Sequence, residues 1–179
     1  MSINQYAGAN ALFDNIAIFL AEYSPYLFIA VEVYLYVIAR KRHEALLAFY
    51  SVLLALLINQ IVGLFYFHNR PFMDGLGTTI FQHVPENSFP SDHTTFMLTI
   101  ACSLFLSSRT RRVGFLLILA GIIGGSFRVF IGIHYPFDIM GSILIGAMSA
   151  IIIFLQVQRV KFIDQYIFKL EDKIFKREK

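Results

Sequence analysis

The sequence has little charge and almost no cysteine. Charged residues make up 15% of its 179 residues, whereas about a quarter is usual in soluble globular domains. Low charge, together with abundant Leu, Ile, Val and Phe, excludes a disordered, a collagen-like or a coiled-coil chain. The single cysteine, Cys102, excludes an intrachain disulfide and a zinc site built from several cysteines.

In their place the sequence has long apolar runs. Hydrophobic residues make up 57% of the chain and the mean hydropathy is +0.64, and a run of about twenty apolar residues is long enough to cross a bilayer. The sequence therefore predicts an all-α fold, a polytopic membrane helix bundle that forms one domain over residues 1–179. Five spans are predicted, at about residues 24–39, 45–67, 91–107, 113–131 and 136–157.

Two further segments are predicted to be interfacial helices. Residues 10–22, within an N-terminal segment 1–23, have the pattern of a short amphipathic helix on the membrane, although they are apolar enough to be a sixth span. Residues 158–179 form a basic amphipathic tail, expected to lie against anionic lipid; a solvated basic tail is the alternative. The apolar stripe of this tail, at helical spacing, comprises Ile163, Ile167, Leu170 and Ile174.

The basic residues are distributed unevenly along the chain. If the spans alternate, 13 of the 15 Lys and Arg residues lie on one side of the membrane, in two short connections and in the tail. The positive-inside rule assigns that side to the cytoplasm. The loop 68–90 and the turn around His134 are then expected on the extracytoplasmic side, together with the two exceptional arginines, Arg70 and Arg128.

Six polar side chains are predicted to converge at that extracytoplasmic face. An arginine beside or within an apolar helix is costly, so its default explanation is a functional one. Two guanidinium groups, two imidazoles, a hydroxyl and a carboxylate are able to bind a tetrahedral phosphate and transfer its phosphoryl group. The six residues are Arg70, Ser91, His93, Arg128, His134 and Asp138.

The spacing of these residues suits that chemistry. Ser91 is placed to cap a helix whose free amides favour a phosphate. Asp138 lies one helical turn after His134 and could orient its imidazole as a nucleophile, and His93 could act as general acid and then as base. A zinc hydrolase that uses the two histidines and the aspartate is a rival, but two arginines would repel the metal, so no metal or other cofactor is expected.

The motifs resemble those of the type 2 phosphatidic acid phosphatase superfamily. Three sequence blocks match the family pattern in order and spacing over about residues 45–157. They are Arg70-Pro71, Pro90-Ser91-x-His93 and Arg128-x5-His134-x3-Asp138. The resemblance implies a helical membrane bundle whose catalysis does not depend on a metal ion.

The resemblance also implies a role for each matched position. His134 corresponds to the nucleophile that forms a phosphohistidine, Asp138 to its orienting partner, and His93 to the general acid. The positions that correspond to phosphate binding are Arg70, Pro90, Ser91, Asp92 and Arg128.

One departure from the family pattern is a missing cation. The family has a lysine seven residues before the Arg-Pro pair, and this chain has Gly63 there. Asn59 and Gln60, about one turn earlier on the same predicted helix, are the nearest polar replacements. Neither residue carries a positive charge, so the phosphate site is expected to have fewer members than the family norm.

Two other departures change the second and third blocks. Asp92 replaces a glycine, and its carboxylate could favour the helix N-terminus or keep His93 protonated. Phe127 replaces a serine, and Ser126 stands one position earlier. One residue corresponds to about 100° of rotation on a helix, so Ser126 is an uncertain phosphate ligand.

Within the superfamily, the sequence around these blocks resembles the bacitracin-resistance group of undecaprenyl-diphosphatases. This implies a polyprenyl diphosphate lipid as substrate, hydrolysed to undecaprenyl phosphate and inorganic phosphate during recycling of the cell-wall carrier lipid. It also implies the bacterial cytoplasmic membrane as location and a role in bacitracin resistance. Membrane lipids are the expected partners and a nucleic acid is not, while the oligomeric state stays open. Phosphatidate and phosphatidylglycerophosphate are alternative substrates.

The remaining polar residues are given simpler interpretations. Glu32, in the first predicted span, could serve a lipid or anion transporter together with the arginines, or could be a protonated carboxyl bonded within the core. The others are interpreted as solvent-facing residues of loops. They are His43, His68, His83, Asp74 and Glu86.

Overall fold

Six α-helices follow one another in the computed structural model, which describes residues 3–175; within it, only the backbone is described for residues 157–160, 171–172 and 174–175. No strand occurs between residues 3 and 175, and the predicted all-α fold is confirmed. A short 3-10 turn at Asn4–Tyr6 precedes the helices. The helices are α1 (Ala11–Val37), α2 (Arg42–Phe65), α3 (Asp92–Leu106), α4 (Arg111–Phe130), α5 (Pro136–Leu155) and α6 (Val157–Phe175).

The first five helices account for the predicted spans. Within the described residues, α1, α2, α4 and α5 are long and apolar enough to cross a membrane, and α3 is a shorter apolar helix of 15 residues. Their bounds agree with the predicted spans to within a few residues, except at the start of α1. The chain is a multi-pass membrane protein.

The N-terminal part of α1 differs from the prediction. Residues 10–22 were expected to form a separate interfacial helix or a sixth span, but they belong to one continuous helix of 27 residues. Asn10 caps this helix by accepting hydrogen bonds from two amides of the first turn, at 3.0 and 3.1 Å. Pro25 lies inside the helix without ending it, because buried residues on both sides of it, such as Ala21 and Phe28, pack against the bundle. The predicted boundary near residue 23 is therefore wrong.

The central helix is α3, which packs against α2, α4 and α5. Nine of its 15 residues are buried, and Met97 and Leu104 join the core formed with α1, α2 and α4. Gly114 lets α4 approach closely, since a Cβ atom there would lie 2.2 Å from the amide nitrogen of Phe105. In a membrane such contacts stabilise through close van der Waals packing rather than through exclusion of water.

The basic connections meet at one end of the bundle. The Lys41 ammonium donates a hydrogen bond to the Arg109 carbonyl oxygen at 2.7 Å, and Arg109 pairs with Glu44 at 3.2 Å. The buried carboxylate of Asp164, in α6, binds His43 and the Tyr50 hydroxyl at the same end. The clustering expected from alternating spans is thus observed, and α6 is anchored to α2.

The predicted C-terminal tail is helical as far as it is described. Ile163 and Leu170 remain exposed on α6, as an apolar stripe facing lipid requires. The side chain of Ile174 and the whole of residues 176–179, with the cations Lys176 and Arg177, lie outside the described residues. Binding of this tail to anionic lipid stays a prediction.

Candidate active site

A polar cavity of about 400 Å³ lies at the end of the bundle opposite the basic connections. It is formed by the loop after α2, the first turn of α3, the end of α4 and the turn before α5. Most of the residues predicted to act on a phosphate meet there. The lining residues are Asn59, Gln60, Gly63, Leu64, Arg70, His83, Glu86, Asn87, Phe89, Pro90, Asp92, His93, Arg128 and His134.

The turn between α4 and α5 positions a histidine and an aspartate as the sequence predicts. Pro136 is at the first turn of α5, and the Asp138 carboxylate accepts a hydrogen bond from the Tyr135 amide at 2.8 Å. The same carboxylate oxygen lies 3.2 Å from His134 Nδ1 and also accepts a hydrogen bond from the Ser88 hydroxyl. Both His134 and Asp138 are buried, so the pair is fixed by contacts on several sides.

The other ring nitrogen of His134 faces a guanidinium group. Arg70 Nη1 lies 3.2 Å from His134 Nε2, and because arginine can only donate, Nε2 must be the unprotonated nitrogen. The proton then resides on Nδ1 and points to Asp138. Burial lowers the pKa of His134 to about 3, so the imidazole is neutral near pH 7. A neutral imidazole with a free Nε2 lone pair is the form required of a nucleophile.

Arg70 is held by its two terminal nitrogens. Besides His134, Nη1 donates to the Ile133 carbonyl oxygen at 3.0 Å, while Nη2 donates to Glu86 at 3.0 Å and more weakly to the Asn87 carbonyl oxygen. Burial lowers the pKa of Arg70 from its ordinary value. Its Nε is buried and has no hydrogen-bond partner within the described chain.

Arg128 is almost completely buried, with 1% of its surface exposed. Its Nη1 donates hydrogen bonds to the Ala21 carbonyl oxygen and to the Glu22 carboxylate, both at 2.9 Å. As in Arg70, its Nε is buried without a partner among residues 3–175. The two buried guanidinium groups bring positive charge to the lining of the cavity, and an anionic ligand would offset the cost of burying it.

The first turn of α3 contributes His93 and Asp92 to the cavity. His93 is half-buried and makes no hydrogen bond to the residues the structure describes, so both ring nitrogens are available to a substrate or water. The Asp92 carboxylate accepts a hydrogen bond from Asn59 Nδ2 at 2.7 Å, and the same amide nitrogen lies 3.1 Å from the Thr95 hydroxyl. The geometry thus gives Asp92 a partner on α2 that neither sequence-based explanation included.

Polar side chains surround Gly63, the position at which the family has a lysine. Gly63 lines the cavity beside Gln60, and a Cβ atom on Gly63 would lie 3.3 Å from Asn87 Nδ2. The Asn87 amide connects the loop internally, because it donates to the carbonyl oxygens of Tyr66 and Phe89. Polar amides therefore occupy the region that a side chain from position 63 would enter.

Three candidate residues do not face the cavity. Ser91 is the N-cap residue of α3, but its buried hydroxyl accepts a hydrogen bond from Thr94 instead of capping the helix. The Ser126 hydroxyl donates to the Ile122 carbonyl oxygen of its own helix and is exposed on another side. Glu32 lies in a separate cleft between α1 and α2, and its carboxylate oxygens have no hydrogen-bond partner among the described residues.

Four residues of the site were not predicted. His68 Nδ1 lies 3.2 Å from the second carboxylate oxygen of Asp138, so the interpretation of His68 as a solvent-facing loop residue is wrong. Glu86 pairs with Arg70, and with 57% of its side chain exposed it remains the solvent-facing loop residue that the sequence predicts. The other two are Ser88, which donates a hydrogen bond to Asp138, and Glu22, which accepts one from Arg128. Each lies far from its partner in sequence, and the only available signal was that a buried arginine needs an anion.

An apolar cleft of about 590 Å³ adjoins the polar cavity. Asp92 and His93 line both spaces, so the two meet at the start of α3. The remaining lining residues of the cleft come mainly from α1, α2 and α3. They are Ile18, Glu22, Tyr23, Pro25, Tyr26, Ile29, Leu56, Phe81 and Phe96.

Comparison with known proteins assigns the family. The sequence model described as the PAP2 superfamily matches residues 44–162. The chain belongs to the PAP2 superfamily. This confirms the resemblance to type 2 phosphatidic acid phosphatases that the three sequence blocks carry. Within residues 3–175, no group of three or more His, Cys, Asp or Glu side chains is arranged to hold a metal ion.

Individual PAP2 relatives cover most of the chain. The undecaprenyl-diphosphatase BcrC of Bacillus subtilis (strain 168) is 33% identical over 147 residues, which are 81% of this chain and 75% of that protein. The bacitracin transport permease protein BcrC of Bacillus licheniformis is 29% identical over 179 residues, or 98% of this chain and 86% of that protein. The crystal structure of Aquifex aeolicus LpxE has the same fold, with a TM-score of 0.72 at 23% identity, over 86% of this chain and 90% of that one.

Proposed function

We propose that this PAP2 protein is a lipid diphosphatase that hydrolyses undecaprenyl diphosphate to undecaprenyl phosphate and inorganic phosphate. The observation that carries the proposal is the meeting of a polar cavity and an apolar cleft at His93. The cavity holds two arginines and a neutral histidine for a phosphate, and the cleft offers an apolar path for a prenyl tail. The similarity to the undecaprenyl-diphosphatase of Bacillus subtilis supports the choice of substrate.

The first step transfers the terminal phosphoryl group to His134. The terminal phosphate binds the guanidinium groups of Arg70 and Arg128 and draws Arg70 away from the imidazole. Nε2 of His134 attacks the terminal phosphorus, and the bond from phosphorus to the bridging oxygen breaks. The electron pair of that bond passes to the bridging oxygen, which receives a proton from His93. Asp138 stabilises the positive charge that forms on the imidazole.

The second step returns the enzyme to its starting state. His93, now unprotonated, accepts a proton from a water molecule, and the resulting hydroxide attacks the phosphorus of the phosphohistidine. The bond between nitrogen and phosphorus breaks, its electron pair returns to Nε2, and inorganic phosphate leaves. His134 thus carries the phosphoryl group and His93 transfers the proton, and neither step uses a cofactor.

The location of this reaction follows from the charge distribution. The cavity lies at the end of the bundle opposite the basic connections. Under the positive-inside rule, the basic end faces the cytoplasm and the cavity faces the extracytoplasmic side of the bacterial cytoplasmic membrane. Hydrolysis there would return the carrier lipid to cell-wall synthesis and support bacitracin resistance.

The test compares lipids on the purified protein. We expect phosphate release from undecaprenyl diphosphate to exceed release from phosphatidate and phosphatidylglycerophosphate at least tenfold, to persist in chelator, and to be inhibited by orthovanadate. Release only from the glycerolipids would overturn the substrate assignment. Transport of lipid without release of phosphate would overturn the enzyme itself.

A pair of variants tests the mechanism. His134→Ala should reduce turnover by a factor of about 10³ or more, since loss of a nucleophile leaves only binding and electrostatic catalysis, and should abolish acid-labile labelling of the protein by ³²P-labelled substrate. Ser126→Ala is the matched control, because its hydroxyl bonds its own helix, and should keep full activity. Full activity of His134→Ala would exclude the phosphohistidine.

A further inference from the structure

Arg128 is oriented by a helix that lies outside the region matched to the family. The PAP2 match begins at residue 44, whereas both acceptors of Arg128 Nη1, the Ala21 carbonyl oxygen and the Glu22 carboxylate, belong to α1. They bind the same nitrogen at the same distance, 2.9 Å. The guanidinium is therefore fixed from one side, and its Nε remains buried and unpartnered in the described structure.

The Ala21 carbonyl is available because of Pro25. In an α-helix the carbonyl of residue i accepts a hydrogen bond from the amide of residue i+4, which for Ala21 is residue 25. Proline has no amide hydrogen, so this carbonyl lacks its helical partner inside a continuous helix. Arg128 supplies the missing donor. Pro25 of α1 thereby leaves open the acceptor that holds Arg128 of α4.

Glu22 supplies the second contact and the compensating charge. Its carboxylate is partly exposed, at 21%, and lines the apolar cleft next to His93. A buried guanidinium without an anion is costly, so Glu22 keeps Arg128 in place while the phosphate site is empty. Because its contact is to Nη1, it holds the arginine through one nitrogen and leaves the rest of the guanidinium group for a phosphate.

We propose that Pro25 and Glu22 are positioning residues for the phosphate site, acting through Arg128. This inference rests on the proposed function in one respect, that Arg128 binds a phosphoryl group. It adds that α1 sets the phosphate affinity of the enzyme. A proline and a glutamate one turn apart on the first helix are then a functional pair and not merely tolerated interruptions of an apolar segment.

The decisive variant is Pro25→Ala. The alanine restores an amide that donates to the Ala21 carbonyl oxygen and competes with Arg128, while it raises the intrinsic helix propensity of α1. We expect the dissociation constant of orthovanadate, measured by titration calorimetry, and the KM for undecaprenyl diphosphate to rise about threefold to tenfold, the range for one hydrogen bond. We expect kcat to change less than about twofold and the melting temperature not to fall. A loss of affinity in a protein that is no less stable cannot be a general folding defect.

Two substitutions of Glu22 distinguish loss of its contact with Arg128 from a general disturbance of α1. Glu22→Gln keeps an oxygen that accepts from Nη1, so vanadate affinity should stay within about twofold of the wild type, whereas Glu22→Ala should weaken it roughly tenfold. Glu32→Ala, on the same helix but in a separate cleft, is the matched control and should leave vanadate affinity unchanged.

The outcomes distinguish this inference from the function on which it rests. Unchanged vanadate affinity and KM in both Pro25→Ala and Glu22→Ala would overturn the positioning role. Equal weakening by Glu32→Ala would do the same, because the effect would then be a general one of α1. If the wild type hydrolyses a different lipid phosphate, the substrate assignment fails while the comparison of vanadate affinities still decides the role of α1.

Discussion

At the scale of single residues, the carboxylate of Asp138 binds two imidazoles, one with each oxygen. His134 Nδ1 and His68 Nδ1 each lie 3.2 Å from it. The His68 ring also lies against Tyr135, with centroids 5.0 Å apart, so it covers the outer side of the pair. A carboxylate held from both sides has less freedom to rotate away from the nucleophile, which is the usual effect of such outer partners.

Removal of His68 should therefore slow the reaction without weakening binding. We expect His68→Ala to lower kcat roughly tenfold while KM changes less than about twofold, because His68 contacts Asp138 and does not line the phosphate cavity. Steady-state kinetics on undecaprenyl diphosphate measure both. His68→Asn, whose amide can donate to the carboxylate, should recover most of the loss. An unchanged kcat in His68→Ala would contradict this role and show that the contacts of Asp138 Oδ2 are enough to orient His134.

The same residues show what a sequence can reveal about this site. His134 and Asp138 were predictable, because four residues on a helix place two side chains on one face. His68, Ser88 and Glu22 were not, because 70, 50 and 106 residues separate each from its partner. Only the packing of the helices brings these pairs together, and no local pattern encodes it.

At the scale of the helices, the bounds of α3 were predicted well from the sequence and the start of α1 was not. The ends of α3 follow from its serine and aspartate at one end and the basic connection at the other. The start of α1 was misplaced because residues 10–22 have the pattern of a separate amphipathic helix, whereas in the structure Glu22 and Pro25 are interruptions inside one continuous helix. Both interruptions are compensated by Arg128, which pairs with the carboxylate and binds the carbonyl left without a donor. A tertiary contact thus overrides a local signal for a break.

A buried carboxylate helps to attach α6 to α2. Asp164 is 2% exposed and binds His43 and Tyr50 of α2. Asp164→Ala should leave these groups unpaired and release α6, so that trypsin cleaves after Lys161 and Lys169 about tenfold faster in detergent. Because the phosphate cavity lies at the other end of the bundle, kcat should stay within about twofold. The neighbouring variant Gln165→Ala is the control, and equal cleavage of the two variants would contradict this role of Asp164.

At the scale of the whole molecule, charge is divided between the two ends of the bundle. The net charge of +3 hides this division, because most cations lie in the basic connections and in α6. The arginines of the cavity, Arg70 and Arg128, are each paired with a carboxylate, Glu86 and Glu22. The two arginines that depart from the predicted positive-inside distribution are thus each neutralised by a neighbouring carboxylate.

The proposed orientation can be tested with cysteines at the two ends. In a Cys102→Ala background, Val84→Cys places a thiol at an exposed residue of the loop beside the cavity, and Ser108→Cys places one at the basic end. A membrane-impermeant maleimide should label Val84→Cys in intact cells, and Ser108→Cys only after the membrane is permeabilised. The reverse pattern would place the cavity on the cytoplasmic side.

The shortness of α3 has a mechanical consequence. Fifteen residues rise about 22 Å, whereas the hydrocarbon core of a bilayer is about 30 Å thick. The short connection to α4 holds the C-terminal end of α3 at the basic end of the bundle. The length that α3 lacks is therefore missing below the phosphate cavity, where the lipid leaflet must thin or the polar loop must lie deeper in the membrane. Such hydrophobic mismatch costs a fraction of a kcal/mol per Å. We therefore expect the rate of hydrolysis to depend on the thickness of the membrane.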